Sequence, residues 1–284
     1  MDLYLLEAMI NGILLGGVLA LLALGLNLIF GVIDVVWIAY ADIVMCGMYV
    51  LYFAYVQYGI PLPVAFLIAI VSMAAMGVLV HLVIIAPVLE SAPINQLLAT
   101  GGLLFFLQSF ATLLFGTDFR NIGVRIPILE IADIYISFSR LRAFGIGLVG
   151  AVVLYVFLKR TYIGTAIRAI AQDRDIIGLM GIDQRRIYLI TSAIGGALAG
   201  LAACLLALQY DVHPFIGNQF GPVIFMICVL GGLGNMIGGF IASFIISQII
   251  AIGGYYSNTE LAYVFAFAFF IVLMFVRPRG LFTR

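Results

Sequence analysis

The sequence predicts an all-α, polytopic membrane protein with about eight or nine transmembrane helices. Of its 284 residues, 65% are hydrophobic and 9% are charged, whereas soluble domains carry about 25% charged residues. The apolar stretches are continuous, and about 20 such residues cross a bilayer as one helix; the strands of a membrane barrel would alternate instead. We therefore expect residues 1–284 to form a single transmembrane domain.

Prolines and glycines mark the ends of the predicted spans, since both residues interrupt helices. Four prolines punctuate the early connections: Pro61, Pro63, Pro87 and Pro93. The predicted spans are 9–33, 38–57, 62–85, 94–115, 143–158, 188–209, 220–231, 237–253 and 261–276. Segment 220–231 is short enough to be a half-helix, and the 116–142 connection is long and mixed in charge.

The first apolar segment is expected to stay in the mature protein. The charged residues at its start are the acids Asp2 and Glu7, and no basic residue precedes it. A cleavable signal, in contrast, begins with a basic region. A second feature is an internal echo: Gly16-Gly17-Val18-Leu19-Ala20 resembles Gly195-Gly196-Ala197-Leu198-Ala199. The echo fits two duplicated halves, a common transporter design, but such runs of small residues also recur by chance.

Basic residues are concentrated in two places, which predicts the orientation. The 159–187 segment and the tail from Arg277 onward hold nine of the thirteen Lys and Arg residues. Cytoplasmic loops carry such an excess, so we expect both to face the cytoplasm. Five spans precede residue 159, which places the N-terminus outside. The four arginines of 116–142 then also lie outside, a mild departure from the rule.

The 159–187 segment contains a predicted amphipathic helix, because its apolar residues between Gly164 and Met180 recur at helical spacing. One interpretation is a solvated helix on the bilayer surface. A free interfacial helix, however, is usually rich in lysine and bulky aromatic residues. This helix has mixed charge, a small apolar face and no lysine, which favours docking to another protein.

The chain resembles the LivH-type permease subunits of branched-chain amino-acid ABC transporters. The strongest motif is R-A-I-A-Q-D-R-D-x-x-x-L-M-G-I-D at 168–183, which is similar to the cytoplasmic coupling loop of that family. Further matches are Ala99-Thr100-Gly101-Gly102-Leu103, Leu107-Gln108, Val229-Leu230-Gly231-Gly232-Leu233-Gly234-Asn235 and Arg277-Pro278-Arg279-Gly280-Leu281-Phe282. The similarity extends over essentially the whole chain, in the family's order.

The resemblance implies a subunit of an importer for branched-chain or other small hydrophobic amino acids in the bacterial inner membrane. It implies a heterodimer with a second, related permease, two cytoplasmic ATPases that use ATP and Mg²⁺, and a periplasmic substrate-binding protein. Apart from these proteins the chain would contact membrane lipid and no nucleic acid. The residues expected to couple to the ATPases are Arg168, Ala169, Gln172, Asp173, Arg174, Gly178, Gly181 and Ile182.

The chain lacks the motifs of an enzyme or a self-powered pump. A phosphate-binding loop needs G-x-x-x-x-G-K-[ST], but the one lysine, Lys159, follows Val156-Phe157-Leu158. We therefore expect a transport subunit that binds no cofactor and no metal and takes its energy from partner ATPases. A secondary transporter driven by an ion gradient is the alternative, and it would need acidic ligands within the spans.

Polar groups within spans are costly and usually face a cavity or a partner. The candidates for the translocation path, together with neighbouring aromatic and glycine positions, are Asn27, Asp34, Trp37, Tyr40, Asp42, Tyr49, Gln108, Gly231, Gly232 and Asn235. Asp34 and Asp42 could instead be hydrated at the membrane interface. The glycine-rich segment at 231–235 could place backbone groups at the path or form a tight cytoplasmic turn.

The region around Asp42 departs from its relatives. Similar chains commonly read N-x-A-H-G-[DE] before G-A-Y, whereas this chain reads Trp37-Ile38-Ala39-Tyr40-Ala41-Asp42 before Gly47-Met48-Tyr49. The acid is retained, while aromatic residues replace the Asn and the His. The change suits a narrower path or a more apolar or aromatic solute, and an alternative is an importer of the same architecture for amides, urea or aromatic acids. Alternatively, the partner permease supplies the polar contacts.

Overall fold

The computed structural model describes residues 3–124, 128–131, 134–172, 182–278 and 280–282, which fold into ten α-helices and one β-hairpin. The helices are α1 (Leu3–Ile33), α2 (Tyr40–Tyr52), α3 (Leu62–Val80), α4 (Pro93–Phe115), α5 (Phe138–Arg160), α6 (Tyr162–Gln172), α7 (Gln184–Ala207), α8 (Ile216–Gly231), α9 (Met236–Tyr256) and α10 (Thr259–Val276). Short π-helical segments extend α2 over Phe53–Gln57 and α3 over His81–Ile85, and a last helical turn follows at Ala86–Val88.

The helical prediction is confirmed, with one local exception. The 116–142 connection contains an antiparallel hairpin of β1 (Ile128–Ile131) and β2 (Ile134–Ser137), which hydropathy did not predict. In the described residues, six helices are long and apolar enough to cross a bilayer. They are Tyr4–Ile33, Leu62–Val88, Pro93–Phe115, Phe138–Arg160, Gln184–Ala207 and Met236–Tyr256. The chain is thus a multi-pass membrane protein, but the predicted eight or nine spans are not confirmed, since α8 and α10 are shorter and α2 has 13 residues.

Helix α1 lies at the centre of the bundle. Its sequence is apolar on every side, and a helix of that kind is buried either in protein or in a bilayer; here 83% of its most apolar window is buried inside the protein. Helix α9 packs along one side, where a Cβ atom on Gly16 would lie 2.7 Å from Ser247 Oγ. Helices α5, α7 and α8 surround the rest.

A second close crossing joins α3 and α7. A Cβ atom on Gly196 would collide with the backbone carbonyl of Met73, and Gly77 lies equally close to the carbonyl of Ser192. Small residues let membrane helices approach in this way. The Ser192 hydroxyl also lies 3.1 Å from His81 Nδ1. The echoed glycine pairs of α1 and α7 both lie at helix crossings, and the duplication of the two halves stays a prediction.

The bundle has two distinct ends. We call basal the end where α5 stops at Arg160, α7 starts and the 232–235 turn lies; the Leu281 N–H donates to the Leu230 carbonyl there at 2.8 Å. At the other, apical end, Arg120 and Val212 form a β-bridge. The described part of both basic segments lies at the basal end, as the orientation argument requires.

Helix α6 lies against the basal end with its apolar face inward. Ala166, Ile167 and Ile170 are buried, and Arg168 is exposed. The Gly164 position contacts the backbone of Leu158, so α6 starts directly beneath α5. The predicted amphipathic helix is therefore present up to Gln172, and its continuation through 173–181 lies outside the described residues.

Candidate functional site

Three polar side chains from three helices meet inside the bundle. Gln108 of α4 donates from Nε2 to Asp42 Oδ1 of α2 at 3.0 Å and to Asn218 Oδ1 of α8 at 2.7 Å. Asp42 is fully buried and Gln108 is 5% exposed. Gly217 makes room for the carboxylate, because a Cβ atom there would lie 2.6 Å from Asp42 Oδ1. The Asp42–Gln108–Asn218 cluster thus ties α2, α4 and α8 together.

The cluster lies at membrane depth rather than at an interface. Gln108 lies fifteen residues from the start of α4 and seven from its end, about 22 Å and 10 Å at 1.5 Å per residue. The hydroxyl of Tyr40, at the start of α2, donates to the carbonyl of Gly195, eleven residues into α7, at 3.0 Å. Helix α2 therefore begins within the bundle, and Asp42 lies in its first turn.

A non-helical segment, residues 34–39, leads into α2. Asp34 ends α1 with a φ of 60°, and Thr100 Oγ1 of α4 donates to the Val36 carbonyl at 3.0 Å. Irregular backbone at membrane depth is tolerated where it is enclosed by protein or lines a cavity. Asp34 itself is exposed, whereas Asp42 is buried. The two neighbouring acids that the sequence offers as path candidates therefore have different environments.

The Asp42–Gln108–Asn218 cluster borders a cavity of about 390 Å³, within the usual range of small-molecule sites. We call it the Asp42 cavity. Its walls are mostly apolar and come from α1, α2, α4, α8 and the 34–39 segment. They include Leu26, Trp37, Ala41, Leu104, Ile224 and Phe225, with Asp42 and Asn218 as the polar members. Asp42 Oδ2 and Trp37 Nε1 are buried without a hydrogen-bond partner among the described residues.

Tyr40 and Tyr49 line two different cavities. Tyr40 lines the Asp42 cavity, but its hydroxyl is occupied by Gly195. Tyr49 borders a second, almost wholly apolar cavity of about 490 Å³ nearer the apical end. Its ring stacks on Phe115 at 4.5 Å between centroids, and the Arg120 guanidinium lies 5.9 Å from the centroid of the same Phe115 ring.

The glycine-rich segment at 231–235 forms a tight turn between α8 and α9. Gly232 and Gly234 have φ of 92° and 80°, values that favour glycine. Asn27 of α1 accepts the Gly234 N–H at 3.2 Å. Asn235 caps α9 by accepting the Gly238 N–H, and its amide donates to the Phe282 carbonyl at 3.0 Å. Of the two interpretations of this segment, the geometry agrees with the turn.

The structure thus brings together only part of the predicted path. Trp37, Tyr40, Asp42 and Gln108 gather at or beside the Asp42 cavity, whereas Asn27, Gly231, Gly232 and Asn235 gather at the basal end. Asn218 was missed by the sequence analysis, because it lies two residues before the predicted span 220–231. Its polar amide beside an apolar segment was the signal that could have identified it.

The predicted coupling residues divide into two groups. Arg168 and Gln172 are exposed at the basal end, and Ala169 and Ile182 are half-buried. Asp173, Arg174, Gly178 and Gly181 lie outside the described residues. Within the described ranges, no three His, Cys, Asp or Glu side chains come together as a metal site would require.

Comparisons with known proteins agree on one family. A family model described as branched-chain amino acid transport system / permease component matches residues 8–274. The chain is 31% identical to the high-affinity branched-chain amino acid transport system permease protein LivH of Escherichia coli (strain K12), over 99% of this chain and 96% of that protein. It is 28% identical to the corresponding protein BraD of Pseudomonas aeruginosa, over 98% of this chain and 96% of that protein. The chain therefore belongs to the family of branched-chain amino acid transport system permease components.

Proposed function

We propose that this chain is the membrane-spanning subunit of an ABC importer that moves branched-chain or other small hydrophobic amino acids through the Asp42 cavity. Its family makes it a transport subunit and not an enzyme. The observation that carries the proposed solute is an apolar cavity at membrane depth with one buried carboxylate. An amino acid with an aliphatic side chain has the complementary chemistry.

The cavity can satisfy each part of such a solute. Asp42 Oδ2 has no hydrogen-bond partner among the described residues, so it can pair with the α-ammonium group. Trp37 Nε1 and the Asn218 amide are donors available to the carboxylate. Leu26 and Phe225 offer apolar contact to the side chain. A buried charge is costly unless it is paired, so a cationic group beside Asp42 Oδ2 would be stabilised.

We infer that the basal end faces the cytoplasm and the N-terminus lies outside, in the bacterial inner membrane. Two ATPases that use ATP and Mg²⁺ would bind α6 and the residues that follow it. A second, related permease would form a heterodimer with this chain and complete the translocation path. A periplasmic binding protein would deliver solute at the apical end. Arg168 is exposed, whereas the apolar face of α6 packs against α5 and α1, which supports this docking role. Movement of an ATPase bound at Arg168 would act through α6 on α5 and α1.

Reconstitution tests the proposal. Proteoliposomes that contain this chain, a partner permease and two ATPases, with binding protein present, should accumulate labelled leucine when ATP is supplied, and unlabelled valine or isoleucine should compete. Uptake driven by an ion gradient without ATPases would instead identify a secondary transporter. ATP-driven uptake in which amides, urea or aromatic acids compete and leucine does not would refute the solute assignment alone.

Reversing the charge of Arg168 should uncouple the transporter. We expect Arg168→Glu to lower ATP-driven uptake by about ten-fold or more, because an opposed charge at a protein interface costs several kcal/mol. The amount of chain in the membrane fraction should not change, since Arg168 is exposed. Arg168→Lys retains the charge and is the matched control. Wild-type uptake by Arg168→Glu would remove Arg168 from the coupling surface.

A further inference from the structure

An apolar groove runs along the outside of the bundle between α5 and α9. It has a volume of about 220 Å³. Leu148, Val152 and Tyr155 of α5 form one wall, and Ile237 and Phe240 of α9 form the other. Val152 and Ile237 are 54% and 64% exposed, so the groove is open to whatever surrounds the bundle.

At its basal end the groove joins a wider cavity of about 510 Å³ beneath α6. Tyr155, Leu158, Met236 and Ile237 line both spaces, so the two adjoin. The polar members of the wider cavity are Lys159, Arg168, Gln172 and Asn235. A hydrocarbon groove therefore opens into a pocket whose charged side chains are cationic.

The two cations are positioned at the mouth of the groove. Lys159 Nζ lies 5.6 Å from the centroid of the Tyr155 ring, a cation–π contact that holds the ammonium group beside the apolar wall. Arg168 of α6 lines the same pocket. Among the described residues, Arg186 forms an ion pair with Asp183. Neither Lys159 nor Arg168 forms an ion pair with a described acid. In the described ranges the two cations thus have no anionic partner, and an anion suits the charge of the pocket.

The length of the groove matches one leaflet of a bilayer. Leu148 and Lys159 are eleven residues apart on α5, about 16 Å along a helix. The hydrocarbon core of a bilayer is about 30 Å thick, so an acyl chain in the groove would lie in the basal leaflet with its headgroup at Lys159.

We propose that the groove and the pocket form a binding site for one anionic phospholipid of the basal leaflet. The acyl chain lies between α5 and α9, and the phosphodiester group lies between Lys159 and Arg168. Basic pockets between helices at the membrane surface bind anionic headgroups in this way. The site is separate from the Asp42 cavity, shares Arg168 with the proposed coupling surface, and requires only that the chain spans a membrane.

Native mass spectrometry of the purified full-length chain tests the site. With equal amounts of phosphatidylglycerol and phosphatidylethanolamine, the chain should retain phosphatidylglycerol preferentially. Lys159→Gln should weaken retention of phosphatidylglycerol roughly five-fold, the effect of one basic residue near an anionic lipid surface. Arg160→Gln is the matched control, because Arg160 is the next residue on α5, is exposed and does not line the pocket.

A second variant tests the groove. Val152→Trp fills it and should reduce retention of both lipids at this site. Glycerol phosphate, which has the headgroup charge without acyl chains, should not displace the bound lipid. Equal behaviour of Lys159→Gln and Arg160→Gln, or displacement by glycerol phosphate, would overturn the proposal. Because the measurement needs no ATP, partner or solute, its outcome is independent of the proposed transport function.

Discussion

Replacing Asp42 by Asn should lower amino-acid uptake by about 100-fold or more, while the chain remains folded. Removing one partner of a buried ion pair costs about 3–5 kcal/mol, and each 1.4 kcal/mol is a factor of ten. Asparagine keeps the size of the side chain and can still accept the Gln108 amide at its oxygen. It cannot balance the ammonium group of the solute. The measurement is the initial rate of ATP-driven leucine uptake by the assembled transporter.

Two observations separate this loss from simple misfolding. The melting temperature of the Asp42→Asn chain should stay level or rise, since the variant removes a buried charge whose Oδ2 lacks a described partner. Asp118→Asn is the matched control, because Asp118 is exposed in the connection after α4. It should transport at close to the wild-type rate. Wild-type uptake by Asp42→Asn would show that this carboxylate does not contact the solute.

Replacing Gly196 by Leu should prevent the chain from folding. A side chain there would collide with the Met73 carbonyl, so α3 and α7 would have to separate. Overpacking of this kind typically costs about 1–3 kcal/mol and more when backbone must move. Separation would also break the contact between Ser192 and His81. We expect aggregated or degraded protein, measured as the loss of the monodisperse peak in size-exclusion chromatography of detergent extracts.

Gly145→Leu provides the matched control for this change. Gly145 lies in α5, and a Cβ atom there would meet no heavy atom within 4 Å. The same substitution should therefore leave the monodisperse peak intact. If Gly196→Leu and Gly145→Leu gave equal peaks, close packing of α3 on α7 would not be needed for folding.

Hydropathy predicts the helices well, because each span needs only a local run of apolar residues. The site is different, since it depends on contacts between distant positions. Asp42 and Gln108 are 66 residues apart, and Gln108 and Asn218 are 110 apart. Single polar residues could be identified as candidates from their apolar surroundings, but no local pattern tells which of them meet. Asn27 and Asn235 are equally good path candidates in the sequence, but the structure shows that their side chains form hydrogen bonds at the basal turn between α8 and α9.

The start of α2 shows a second limit. The residues from Trp37 to Ala41 are apolar, so the sequence predicts a span that begins at residue 38 at a membrane surface. The structure starts α2 at Tyr40 inside the bundle, after the 34–39 segment. Hydropathy cannot tell apolar residues that line an internal cavity from apolar residues that face lipid, because both avoid water.

The enclosed position of α1 has a consequence for biosynthesis. Helix α1 leaves the ribosome before its neighbour α9, which begins about 200 residues after α1 ends, roughly 10–40 s at 5–20 residues per second. During that interval one flank of α1 has no permanent neighbour and must rest in lipid or against the insertion machinery. The uniformly apolar surface of α1 therefore serves two environments in succession, first the bilayer while translation continues, and then protein once α9 has been made.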